Sequence, residues 1–82
     1  MDMNNSVITT KKYGRIDVKL REIMDDENVS RYKLARLVGV RFEVIDRWYN
    51  GQMERVDLDI LARICFVLNC KIQDLLEYTN EQ

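Results

Sequence analysis

Five cations crowd one short stretch of the sequence: Arg31, Lys33, Arg36, Arg41 and Arg47, set against only Glu43 and Asp46 over residues 30–51. That stretch carries +3 in a chain of net charge −1, so the remainder carries −4. This is chemistry for holding a phosphate backbone and base edges, and the positive sign is segregated onto one unit. Chemistry for moving protons is missing. The chain has no histidine, no phosphate-cradling glycine loop and no Cys-x-x-Cys, so an enzyme is not expected. Cys65 and Cys70 are five apart, and on a helix their Cα atoms would stand about 8–9 Å apart, too far for a disulfide. They read as buried thiols. Asp25, Asp26 and Glu27 read as a solvated helix end, because a metal would need more converging ligands.

Two short helices and a tight turn are needed to present those cations. Ser30 is an N-cap candidate, whose hydroxyl can accept from a free amide of the first turn. Val29 and Leu34 stand at the two positions of a hydrophobic staple. Leu34, Ala35 and Val38 share one buried face. Gly39 falls where a helix end needs left-handed dihedrals. Val40, Ile45 and Trp48 give the next helix its inner face, and Asn50-Gly51 stops it. At 100° per residue Glu43, Asp46, Arg47 and Asn50 then point outward, with Phe42 on the flank and Arg41 at the start. Ala35 is small where two helices cross closely, as in a helix-turn-helix.

The rest of the sequence supplies the frame. Asp17 is a candidate cap for a first helix over about 17–27, with Ile16, Leu20, Ile23 and Met24 in its core. Asp57 caps a fourth helix, with Val56 and Leu61 as its staple. Leu58, Leu61, Ile64, Cys65 and Leu68 form the inner stripe of that helix, and Asn69 ends it. A short fifth helix over about 72–77 supplies Leu75 and Leu76. Residues 1–14 read as a flexible arm in which 7–13 could form a strand. Its Lys11 and Lys12, with Arg15 beyond Gly14, could reach a phosphate or a minor groove. Residues 15–78 form one domain, and 79–82 a disordered tail. The expected class is all-α, five helices around one core. Eighty-two residues allow one small domain. No apolar run approaches the ~18 residues of a membrane span, residues 1–5 lack a signal peptide's blocks, and two cysteines fit a reducing cytoplasm.

In this register Leu34-Ala35, Gly39-Val40, Ile45-Asp46-Arg47-Trp48 and Asn50-Gly51 resemble the helix-turn-helix of the phage Cro and cI repressor family, the Xre-like regulators. Residues 56–61 and 74–78 resemble the downstream part of that family's short single-domain branch. The resemblance covers about residues 16–78. It implies a five-helix, lambda-repressor-like domain that puts its third helix, about residues 41–50, into the major groove of double-stranded DNA. It implies a repressor acting by occupying promoter DNA, with no cofactor and no small-molecule ligand. The DNA-contacting residues it points to are Arg31, Arg41, Phe42, Glu43, Asp46, Arg47, Asn50 and Arg55. Arg41 and Arg47 can grip guanine or phosphate bidentately, and Phe42 can pack on a thymine methyl. Arg31, at the start of the second helix, suits a backbone phosphate, as does Arg55 in the loop. Glu43 and Asp46 either accept from cytosine amino groups or lower affinity by repelling phosphate.

Several positions depart from the family's habit. Arg41 stands where Ser or Thr usually caps the recognition helix. Arg31 and Phe42 stand where Gln is frequent. Lys33 replaces the Glu of a capping box. Phe66 stands on the fourth helix where the family has a polar residue, about 140° from Leu61, and should face solvent. With Leu76 and Tyr78 it is a candidate homodimer or partner surface. An alternative function is a protein-interaction module on the same scaffold, antitoxin-like or anti-regulator, with little DNA binding.

Overall fold

A computed structural model describes residues 13–80 of the chain. The expected short strand over 7–13 and the cations Lys11 and Lys12 lie, Tyr13 apart, outside these residues. The described order is strand β1 (Arg15–Val18), helices α1 (Leu20–Glu27), α2 (Arg31–Val38), α3 (Phe42–Asn50), α4 (Leu58–Leu68) and α5 (Ile72–Leu75), and strand β2 (Leu76–Thr79). The five-helix frame expected from the periodicity is there. Its boundaries follow local chemistry. Ser30 Oγ accepts from the Lys33 amide at 3.1 Å and starts α2. Asp57 Oδ1 accepts from the Asp59 and Ile60 amides at 2.9 and 3.2 Å and starts α4, removing two of the unpaired donors that every helix start exposes. Asn69 ends α4 at φ 52, and Gly39 ends α2 at φ 84. A Cβ at Gly39 would meet only Arg63 Nη1 at 3.6 Å, an ordinary contact. Conformation, not space, therefore requires glycine there.

Leu20, Met24, Leu34, Ala35, Val38, Ile45, Trp48, Leu61, Ile64 and Leu75 make one buried cluster. Every helix contributes to it, so none folds its apolar face against solvent. Among the described residues no polar or charged side chain is buried with it.

The two ends of the frame differ from the expectation. Asp17 does not cap α1. It lies in β1, which runs antiparallel to β2 with Arg15 opposite Thr79, Ile16 opposite Tyr78, Asp17 opposite Glu77 and Val18 opposite Leu76. The Asp17 carboxylate accepts from Thr79 Oγ1 at 2.7 Å and from Arg15 Nε at 2.8 Å. Ile16 is 59% exposed rather than in the core; alternation along the strand puts it on the same face as Val18, but only Val18 packs against the core. The α1 helix starts three residues later, at Leu20, and α5 stops at Leu75 because the following residues are drawn into β2. Just before β1, Gly14 has φ 84, and a Cβ there would run into the Thr79 carbonyl oxygen. The strand pair closes over that glycine. Tyr78 OH then donates to the Tyr13 carbonyl at 2.7 Å.

Candidate nucleic-acid interface

The α2–turn–α3 unit is built as its spacing requires. Ile45 and Trp48 are buried on the inner face of α3, so Trp48 packs in the core and is not a stacking platform for a base. The outward residues separate into three groups. At the N-terminal end of α3, Arg41 and Glu43 are exposed. Arg41 holds the cap position with extended backbone (φ −72, ψ 154), and its side chain makes no capping bond. That is what its donor-only chemistry dictates, and it leaves α3's first amides and the Arg41 guanidinium together at one helix start.

A second group closes on itself. Arg31 Nη1 donates to Asp46 Oδ1 at 2.6 Å. Asn50 Nδ2 donates to the Asp46 carbonyl at 2.9 Å and reaches its carboxylate at 3.3 Å. The Arg31 guanidinium lies over the Tyr49 ring at 4.8 Å and the Phe42 ring at 5.7 Å. Phe42 stacks on Tyr32, with ring centroids 4.2 Å apart and planes 23° from parallel. Tyr32 itself is 72% exposed. Tyr49 also carries Arg21 at 4.9 Å on its ring, and its hydroxyl donates to Asp25 Oδ1 at 3.1 Å. Asp25 thus serves as a hydrogen-bond acceptor for α3.

The third group lines a groove between α3, the following loop and α4. Arg47 and Arg55 both border it, with Gln52, Glu54 and Asp57. Arg41, Arg47 and Arg55 form no ion pair with another described residue, so their donors are available to a ligand.

Four of the eight residues singled out for DNA contact, Arg31, Phe42, Asp46 and Asn50, are therefore brought into one cluster. Two, Arg47 and Arg55, share a groove. The sequence reading missed Tyr32 and Tyr49. Both are aromatic and stand next to residues it did single out, but that they meet Phe42 and Arg31 depends on how α2 docks on α3. On α4, Phe66 is 86% exposed. It borders an apolar groove with Leu37, Val38, Ala62, Arg63 and Val67. Arg63 is tied down there, donating to the Val38 carbonyl at 3.2 Å and pairing with Asp59 at 2.8 Å. Leu76 and Tyr78 lie on β2, Leu76 against the core and Tyr78 exposed.

Cys65 and Cys70 are free, half-buried thiols. Burial, and then the neighbouring Cys65, push Cys70 up to about 11. A thiol that stays protonated is a poor nucleophile. No helix among the described residues is long and apolar enough to cross a membrane.

A capped helix, a left-handed glycine turn and a second helix with a buried inner and a cationic outer face define a helix-turn-helix DNA-binding protein. A sequence model of the Cro/C1-type HTH DNA-binding domain matches residues 19–81, and the chain belongs to that family. It is a non-enzymatic DNA-binding regulator. In structure it is similar to the transcriptional regulator VanUg (crystal form II), with a TM-score of 0.67 and 31% identity over 83% of this chain and 91% of that one. No curated protein matches it.

Proposed function

We propose that the chain is a sequence-specific transcriptional repressor that seats α3 in the major groove and blocks a promoter by occupying it. The observation that carries this reading is the surface of the α2–α3 unit. Its inner face is buried by Ile45 and Trp48, and its outer face presents Arg41 and Arg47 without ion-pair partners among the described residues. Arg47 and Arg55 flank the groove beside α3, where a sugar-phosphate strand would run once α3 is seated. Glu43 and Asn50 complete the outer face and face base edges or the backbone. The similarity to a protein described as a transcriptional regulator supports the same reading. The protein acts in the cytoplasm, where its thiols stay reduced.

The test is binding to a duplex selected by the protein from a random library, compared with a random duplex, at low and moderate salt. Replacing Arg41 and Arg47 together by alanine should cost about 1–3 kcal/mol for each base that an arginine grips in the wild type. Unchanged affinity in a double variant that keeps its helical signal overturns the reading.

Operator binding by this class of domain uses two-fold dimers on half-sites one helical turn apart, about 34 Å. The proposed dimer surface centres on Phe66 and the adjoining Leu37, both exposed, with Leu76 and Tyr78 contributing from β2. Aromatic residues are enriched at the centres of such contacts. Sedimentation at micromolar concentration should show association of the wild type that Phe66→Glu abolishes. A monomeric wild type, or a variant that associates equally well, places the surface elsewhere. A second reading, a protein-binding module with little affinity for DNA, is favoured by the neutralisation of Arg31 by Asp46 and by the overall negative charge. It wins if the wild type binds neither duplex.

A further inference from the structure

The pairing of Arg31 with Asp46 sits oddly in a DNA interface. Arg31 is the first residue of α2, where the helix dipole is positive and a cation is disfavoured. Asp46 offsets that from the neighbouring helix at 2.6 Å. The two side chains remain partly open, at 41% and 35% exposure, so the pair is a weak one that a phosphate can rival. Two rings lie against the guanidinium, Tyr49 at 4.8 Å and Phe42 at 5.7 Å. Asn50, one turn after Asp46, fixes the carboxylate's own backbone and side chain. Arg31 is therefore oriented and neutralised at once. Arginine carries five N–H donors, and the bond to Asp46 uses a donor on one terminal nitrogen only.

We propose that Asp46 is a specificity-determining residue of the DNA interface, which holds Arg31 so that this cation engages a phosphate only when α3 is fully seated. The proposal rests on the major-groove reading above. In an indiscriminate complex, where the protein lies loosely along the backbone, attraction scales with the free cations it offers. Asp46 removes one of them and sets a carboxylate near the phosphates. In the seated complex α3 brings the Arg31–Asp46 unit to one fixed place, and the remaining donors of the pre-oriented guanidinium meet a phosphate with little ordering cost. The pair thus trades general affinity for discrimination, which suits a chain whose net charge is −1.

The experiment is a double-mutant cycle with Asp46→Asn, Arg31→Gln and both together. It is read by fluorescence anisotropy on a random duplex and on the duplex selected by the wild type. Asp46→Asn should bind the random duplex several-fold more tightly than the wild type at 50 mM KCl. That advantage should shrink by roughly 3–4-fold at 200 mM, the change that one more neutralised phosphate gives. Arg31→Gln alone should weaken the selected duplex and leave the random one almost unchanged. In the double variant the Asp46→Asn gain should shrink to the part that comes from removing the carboxylate's own repulsion of phosphate. Asp46→Ala replaces Asp46→Asn if the latter does not fold. A gain that survives undiminished in the Arg31→Gln background, or an Arg31→Gln loss equal on both duplexes, overturns the proposal while leaving DNA binding intact. A wild type that binds neither duplex overturns both.

Discussion

The α2–turn–α3 unit and the β1–β2 pair each depend on a glycine at φ 84, Gly39 in one and Gly14 in the other. The two glycines do different work. Gly39 ends a helix within a unit whose parts are neighbours in sequence, and its surroundings are open. Gly14, besides its own positive φ, makes room for the Thr79 carbonyl, 65 residues further on. The first region is specified by its own residues and closes on the core through Leu34, Ala35, Val38, Ile45 and Trp48. The second is specified by an encounter between the two ends of the described chain. A unit built from local signals should fail globally when broken. A pairing of distant ends should open by itself, as local unfolding does.

The largest effect is expected at the crossing of α2. Ala35 is almost fully buried, so Ala35→Leu should overpack it and cost about 1–3 kcal/mol or more. Gly39→Val forces a β-branched residue to positive φ and should lower the melting temperature of the whole domain as well, at a cost of about 1–3 kcal/mol. Thermal melts of both variants measure this, and a wild-type midpoint in both would dissolve the contrast.

A smaller effect is expected from Gly14→Ala. The added Cβ meets backbone, which cannot step aside as a side chain can. The strand pair should therefore release and the helical core persist. Amide exchange should accelerate across residues 15–18 and 76–79, with little change at α2 and α3. Acceleration across the whole domain would show instead that the strand pair is part of the same cooperative unit.

The smallest effect concerns pH. The Thr79 hydroxyl, followed by Arg15, holds the Asp17 carboxyl below its ordinary value of 3.8. A carboxyl lowered in the folded state binds fewer protons than it does unfolded. Its stabilising contribution is thus present above about the ordinary 3.8 and is lost as pH falls below that toward the lowered value. Asp17→Asn should flatten the low-pH end of the stability curve slightly and leave neutral pH nearly unchanged apart from the missing hydrogen bonds. An unaltered acid limb would show that the Thr79 contact does not persist in solution. The same carboxylate illustrates what a local reading misses. Asp17 before an apolar run has the form of a helix cap, and β1 took it instead because its partner lies 62 residues away.

Within single elements the sequence decided most of the outcome. Ser30 and Asp57 as caps, Gly39 and Asn69 as left-handed ends, Ile45 and Trp48 as the inner face of α3, and the exposure of Phe66 all follow from side-chain direction and backbone preference along one helix. The segregation of cations onto residues 30–51 is likewise a property of the sequence alone. What the cations do was decided by docking. Periodicity turns Arg31 and Asp46 outward from their own helices, and only the placement of α2 against α3 turns them toward each other. The same placement stacks Tyr32 on Phe42 and lays Arg31 across Tyr49. The strand pair belongs with these. Its hydrogen bonds join residues that no short window contains.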